Sequence, residues 1–144
     1  MRPNRKADYA LRASLDLAIH ASPGRLIRTA EIAKRTGAPS KFLEAILSQL
    51  GAAGLVESQR GARGGHRLAR AAAAVTAGDV LKVAGGPLPS RARPARRSTD
   101  APGRAIDRLW QDVERAVNRT LDGVTLEDLA RFAQNVSSVP DYTI

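Results

Sequence analysis

Not one cysteine occurs among the 144 residues of this chain. That absence excludes disulfides, thiolate chemistry and cysteine-ligated metal centres. Aromatic residues are nearly as scarce, with one Trp, two Tyr and two Phe making 3% of the sequence. The core must therefore rest on Leu, Val, Ile and Ala, which suits helices more than sheets. Base-stacking platforms of the kind that bind single-stranded RNA are also missing. Two histidines, His20 and His66, stand in unrelated contexts, so no metal set and no cofactor is expected. No apolar run approaches the roughly 20 residues that cross a bilayer. The N-terminus, Met1-Arg2-Pro3-Asn4-Arg5-Lys6, has no apolar signal region behind it, so a cytoplasmic protein with no membrane role is expected. Catalytic constellations are absent too: there is no carboxylate pair and no nucleophile–base set. Arg63-Gly64-Gly65 opens no helix and so makes no phosphate cradle. An enzyme is not expected.

What the chain has in excess is positive charge, +9 overall. Its distribution is uneven: residues 1–70 carry +8, residues 88–104 carry +4 and residues 105–144 carry −3. A basic front half with an acidic tail suits a polyanion at one end and protein at the other. Charge alone is equally compatible with a biased, arginine-rich composition.

Periodicity then divides the chain. Residues 7–20 read as a first helix, with a stripe of Leu11, Leu15 and Ala18 beside Ala10, Ser14 and Leu17. Asp8, Arg12 and Asp16 fall four apart on the opposite side, read as solvated. Leu26-Ile27 is a short strand candidate. Thr29 is read as the cap of a second helix, 30–36, with Gly37 in the C-terminal capping position. Ser40 is read as the cap of a third, whose Leu43, Ile46, Leu47 and Leu50 form one buried face. Ser40, Lys41, Glu44, Ala45 and Ser48 stay outside, small or polar. Two strand-forming runs then flank the turn Arg60-Gly61-Ala62-Arg63-Gly64-Gly65. Glycines allow positive φ and close approach, and arginines put delocalised charge where it can enter a narrow groove. Helix, turn, helix and basic hairpin together predict a mostly α fold: a winged helix-turn-helix with a two-stranded wing and a long C-terminal dimerisation helix.

Thr76 is read as the cap of a short helix holding Val80, Leu81 and Val83. Residues 88–104, with three prolines and no apolar period, are predicted to be a mobile loop. Residues 105–121 form the strongest amphipathic pattern, with Ile106, Leu109, Trp110, Val113, Val117 and Leu121 on one seam. Burial against a second copy is the expected use of that seam. Thr125 with Asp128 predicts a final helix, 126 to about 134, followed by a frayed end. The predicted organisation is a DNA-binding domain at 1–87, a flexible loop at 88–104, a dimerisation helix plus short terminal helix at 105–134, and a tail at 135–144.

Several segments, taken in order, resemble the Rrf-two family of winged-helix regulators, the IscR/NsrR-like group. They are Tyr9-Ala10-Leu11-Arg12-Ala13, Glu31-Ile32-Ala33, Phe42-Leu43-Glu44, Leu50-Gly51-Ala52-Ala53-Gly54-Leu55-Val56, the Arg60–Gly65 wing, Gly78-Asp79-Val80-Leu81, Leu109-Trp110 and Thr125-Leu126-Glu127-Asp128-Leu129. The likeness spans residues 1–134. It implies a homodimer that binds a pseudo-palindromic promoter site in double-stranded DNA, and the chain is read as a bacterial, nucleoid-associated transcriptional regulator that acts as a repressor. By resemblance, Ser40, Lys41 and Glu44 meet the major groove, while Arg60 and Arg63 enter or flank the minor groove. Gly64 and Gly65 shape the wing, and Arg67 lies at phosphate. Arg2, Arg5, Lys6, Tyr9 and Thr29 are backbone contacts. His66 completes the interface where the family usually has an aromatic. Cluster-bearing members use three spaced cysteines; here those positions fall near Ala92, Ser98 and Arg104, none of them cysteine. The resemblance therefore implies a member without an iron–sulfur cluster, and Asp8 alone cannot hold one. For 88–104 three roles stay open: an extra DNA contact, a receiver for a small anionic ligand or an acidic protein, or no sensing role. The competing reading of the whole chain is a protein-interaction adaptor with weak, non-specific DNA or RNA binding.

Overall fold

The computed structural model describes residues 4–86 and 97–138. Arg2, most of the 88–104 loop and the end of the 135–144 tail lie outside the described residues. The first helix, α1 (Arg5–Ile19), starts earlier than its apolar period suggests because the Asn4 carboxamide accepts from the Ala7 N–H at 2.7 Å. Helix α2 (Thr29–Thr36) ends at Gly37, whose φ of 75° is the left-handed cap read from sequence. Helix α3 (Ser40–Ala52) buries Leu43, Ile46, Leu47 and Leu50, as its spacing predicts.

The caps of α2 and α3 differ from expectation. Arg28 and Pro39 hold those positions, and neither makes a side-chain capping bond. Thr29 and Ser40 are already helical. In α3 the fixed φ of Pro39 sets the entry. In α2 the Thr29 hydroxyl has been taken by a distant partner, described below.

The inward face of α1 is also rotated from the sequence reading. Ala7, Ala10, Ala13, Ser14 and Leu17 are buried, while Leu11 and Ala18 pack at its flank. Alanines let α2, α3, α4 and α6 all approach this central helix. Asp16 is the clearest correction, being buried rather than solvated. Its carboxylate accepts two bonds from Arg35 of α2, at 2.7 and 3.0 Å, and lies 3.7 Å from His20 Nε2. The pairing raises the Arg35 pKa, its hydrogen bond to Asp16 being the largest cause. Asp16→Ala leaves that guanidinium short of its main acceptor, although Glu31 at 3.7 Å remains. We expect a loss of about 1–3 kcal/mol in urea unfolding. An unchanged midpoint would show the bridge to be energetically silent.

Strands β1 (Val56–Gln59) and β2 (Gly65–Leu68) pair antiparallel, with Val56 opposite Leu68 and Ser58 opposite His66. Ile27, from the short strand candidate, forms an isolated antiparallel bridge with His66. A 3-10 turn over Ala72–Ala74 leads to α4 (Ala77–Val83), opened by a reciprocal capping box between Thr76 and Asp79. Bonds from the Thr76 backbone and hydroxyl hold the Asp79 carboxyl below its ordinary range.

Helix α5 (Ala101–Asp122) begins inside the segment read as loop. Asp100 caps it and a proline sits in its first turn, so the last residues of 88–104 are helical. Helices α4 and α5 touch at Gly78, beside the Asp122 carboxylate. Chain pairing then closes the unit, with Ala77 N–H donating to Val124 and Leu126 N–H to Val75 at 2.8 and 2.9 Å. Thr125 and Asp128 cap α6 (Leu126–Ser138) reciprocally, each bond being 3.0 Å. The helix runs four residues past its predicted end, into the segment expected to fray.

Candidate nucleic-acid interface

Two walls form an open cleft of about 820 Å³. One wall is α3, where Ser40, Glu44 and Ser48 recur every four residues and so share a face. The other is the wing, contributing Ser58, Gln59, Arg60, Gly61, Ala62, Gly64, Gly65 and His66. Thr29 and Arg28 close the end near α2. Ser40, Lys41 and Glu44 are all exposed, as an approach to base edges requires.

Wing geometry depends on two glycines. A Cβ on Gly64 would lie 2.1 Å from the Gln59 carbonyl oxygen, and one on Gly65 would lie 2.8 Å from that of Ile27. Both are buried, whereas Arg60, Gly61, Ala62 and Arg63 are exposed. Neither Arg60 nor Arg63 has an ion-pair partner among the described residues. Their charge is available at the wing turn. Arg67 is placed differently: its guanidinium pairs with Glu57 across the strands at 2.8 Å. It remains half-exposed, but its first partner is protein.

The structure reports differently on the remaining sequence candidates. Tyr9 is half-buried, edge-on to Phe42 with ring centroids 5.7 Å apart. That contact sets the first turns of α1 beside the start of α3. Thr29 and His66 meet: Thr29 Oγ1 lies 2.8 Å from His66 Nε2, and Ser58 Oγ 2.7 Å from Nδ1. Burial lowers the His66 pKa, with Glu44 opposing the shift.

Arg28 was missed by sequence reasoning. Its guanidinium donates to the Ala62 carbonyl, tying the start of α2 to the wing turn. One signal was legible. A cation at a helix N-terminus opposes the macrodipole, and such local conflicts tend to mark functional positions.

Along α5, Ile106, Leu109 and Trp110 are 54, 53 and 50% exposed, and the helix buries no residue fully. Val113 and Val117 are half-covered. Leu121 departs from the expected seam, packing against the core of its own domain. That end of the helix is also where α5 meets α4.

A cysteine-ligated iron–sulfur cluster does not fit the residues present. The chain has no thiolate. Asp8 is ion-paired to Arg12 at 2.9 Å, and the Ser98 N–H donates to Asp107 at 2.8 Å. No grouping of three or more His, Asp or Glu suited to a metal occurs among the described residues. No helix among them is long and apolar enough to cross a membrane.

The family described as "Rrf2: Iron-dependent Transcriptional regulator" matches residues 4–131. Protein Rv1287 of Mycobacterium tuberculosis is 36% identical over 98% of this chain and 89% of its own length. The HTH-type transcriptional regulator IscR of Yersinia pestis is 30% identical, covering 98% of this chain and 85% of its own. Among solved structures, T. potens IscR superposes with a TM-score of 0.78 at 28% identity, covering 99% of this chain and 95% of that one. CymR, the global cysteine regulator of B. subtilis, gives 0.75 at 34% identity over 92% and 98%. Winged-helix geometry, sequence likeness across nearly the whole chain and a basic wing beside a polar helix face agree: the chain belongs to the Rrf2 family of DNA-binding transcriptional regulators.

Proposed function

We propose that this regulator works as a homodimeric repressor, seating α3 in successive major grooves of a pseudo-palindromic promoter site without the help of an iron–sulfur cluster. The observation that carries the reading is the cleft between the polar face of α3 and the wing, with Arg60 and Arg63 exposed at its edge. A helix of this width fits the major groove, and an arginine beside it reaches the minor groove, where narrow A·T-rich segments concentrate negative potential. Ser40, Lys41 and Glu44 meet base edges; Arg5, Lys6 and the partly engaged Arg67 serve the backbone. Twofold pairing through Ile106, Leu109, Trp110, Val113 and Val117 sets the half-site spacing. Occupying a promoter excludes polymerase, which makes repression the default outcome, and the site of action is the cytoplasm where the chromosome lies.

Arg60→Ala tests this directly. Against a duplex selected from a random pool by the wild-type protein, we expect a loss of about 1–3 kcal/mol in binding free energy. Scrambled duplex should be bound nearly as before. Equal affinity of the unmodified protein for selected and scrambled duplex would support the adaptor reading instead.

A further inference from the structure

His66 is the imidazole of the cleft, and its surroundings hold it on every side. The backbone N–H donates to the Ile27 carbonyl at 2.7 Å, and the His66 carbonyl accepts from the Ile27 N–H at 2.8 Å. Across the strands lies Ser58, its register partner. The ring itself spans two hydroxyls, those of Thr29 and Ser58, at 2.8 and 2.7 Å. It cannot swing away without breaking both bonds.

Counting hydrogens shows what this bracket can do. A neutral imidazole has one N–H and one lone pair. One of the two hydroxyls must then donate into the ring, and only the other keeps its hydrogen for something in the cleft. An imidazolium has two N–H groups, so both hydroxyls accept from it and both hydrogens turn outward. The charged form offers two O–H donors and a positive charge; the neutral form offers one donor and no charge. An anion entering the cleft prefers the first.

The charged groups lining the same cleft are Glu44 from α3, Arg28 from the start of α2 and Arg60 from the wing turn. Burial lowers the pKa of the ring in the free protein, against the pull of Glu44. A nucleic-acid phosphate entering the cleft adds negative charge beside the ring and so favours the imidazolium.

We propose that His66, bracketed by Thr29 and Ser58, is a positioning residue of the DNA interface that takes up a proton when a phosphate of the duplex enters the cleft. The inference rests on DNA binding through this cleft. Its direction is set by linkage: the pKa is higher in the complex than in the free protein, so affinity rises as pH falls. Affinity is flat above the bound-state pKa, climbs by up to about tenfold per pH unit per protomer between the two values, and is flat again below the free-state value.

The probe is the duplex selected from a random pool by the wild-type protein. Its affinity is followed by fluorescence anisotropy from about pH 5.5 to 8.5 at constant ionic strength, a range that spans the histidine titration. The wild-type protein is expected to bind about tenfold more tightly or better at the acid end. His66→Gln, which offers the hydroxyls a donor and an acceptor but cannot titrate, is expected to give a flat profile. His20→Gln is expected to keep the wild-type slope. The His66 imidazole midpoint, read by NMR on the unmodified protein, should rise on adding duplex; that measurement decides the matter if His66→Gln misfolds. A wild-type protein that binds without a pH slope, a slope retained by His66→Gln, or a midpoint unmoved by duplex would each overturn the proposal while leaving DNA binding intact. Failure of the wild-type protein to select any duplex would overturn the DNA reading along with it.

Discussion

Leu109→Glu combined with Trp110→Glu is expected to convert the protein to monomers and to weaken binding of a two-half-site duplex by about 10²–10⁴-fold. Helix α5 has 22 residues and spans about 33 Å. Along it, Ile106, Leu109 and Trp110 stay at least half exposed in a single chain. The described residues leave this apolar stripe open, and on the proposed reading a second copy of the chain covers it. Facing glutamates in such a seam would be desolvated and unpaired, at several kcal/mol each. The same exposure makes the substitutions mild for the isolated fold, since neither side chain belongs to the core. Sedimentation velocity reads the oligomeric state, and thermal unfolding confirms that the chain still folds. A dimer that survives both glutamates would remove α5 from the proposed interface.

Gly64→Ala is the second large effect. The added methyl would lie 2.1 Å from the Gln59 carbonyl oxygen and under 3 Å from two further backbone carbons. Backbone atoms cannot rotate aside as a side chain can, so the turn itself must open. Opening it carries the Ala62 carbonyl away from Arg28 and moves Arg60 off the cleft edge. We expect selected-duplex affinity to fall at least as far as in Arg60→Ala, and stability to drop by about 1–3 kcal/mol from overpacking. Scrambled duplex, held by diffuse charge, should be bound almost normally. Wild-type affinity for selected duplex in Gly64→Ala would mean that the wing turn takes no part in recognition.

Much of the fold was legible because its signals are local. The face of α3 recurs at helical spacing, Gly37 stops α2, and two Thr-x-x-Asp boxes announce α4 and α6. The wing was legible because only glycine tolerates the approaches at 64 and 65. The start of α5 carried its own signal, Asp100 and Pro102, outweighed by the charge and proline content before it. Asp16 was misread because helical period places it opposite the leucines. Periodicity cannot foresee an arginine from another helix covering that side.

The candidate site divides along the same line. Ser40, Lys41, Glu44 and the wing arginines follow from position on a helix face or at a turn. Thr29 looked like a cap, yet its hydroxyl faces a histidine 37 residues later. Arg28 looked like a misplaced cation, yet it holds the wing turn.

By itself, then, the sequence determined the class of protein, the elements, the basic wing and the absence of any thiolate to hold a cluster. These depend on composition and on neighbours within a turn or a hairpin, which the chain states directly. Only the tertiary structure decided which polar groups meet: Asp16 with Arg35, Arg28 with Ala62, and His66 with Thr29 and Ser58. Apart from Ser58 and His66, register partners within the wing hairpin, those pairings join residues 19 to 37 apart in sequence, and a polar side chain adopts its partner only once packing has brought the two within about 3 Å.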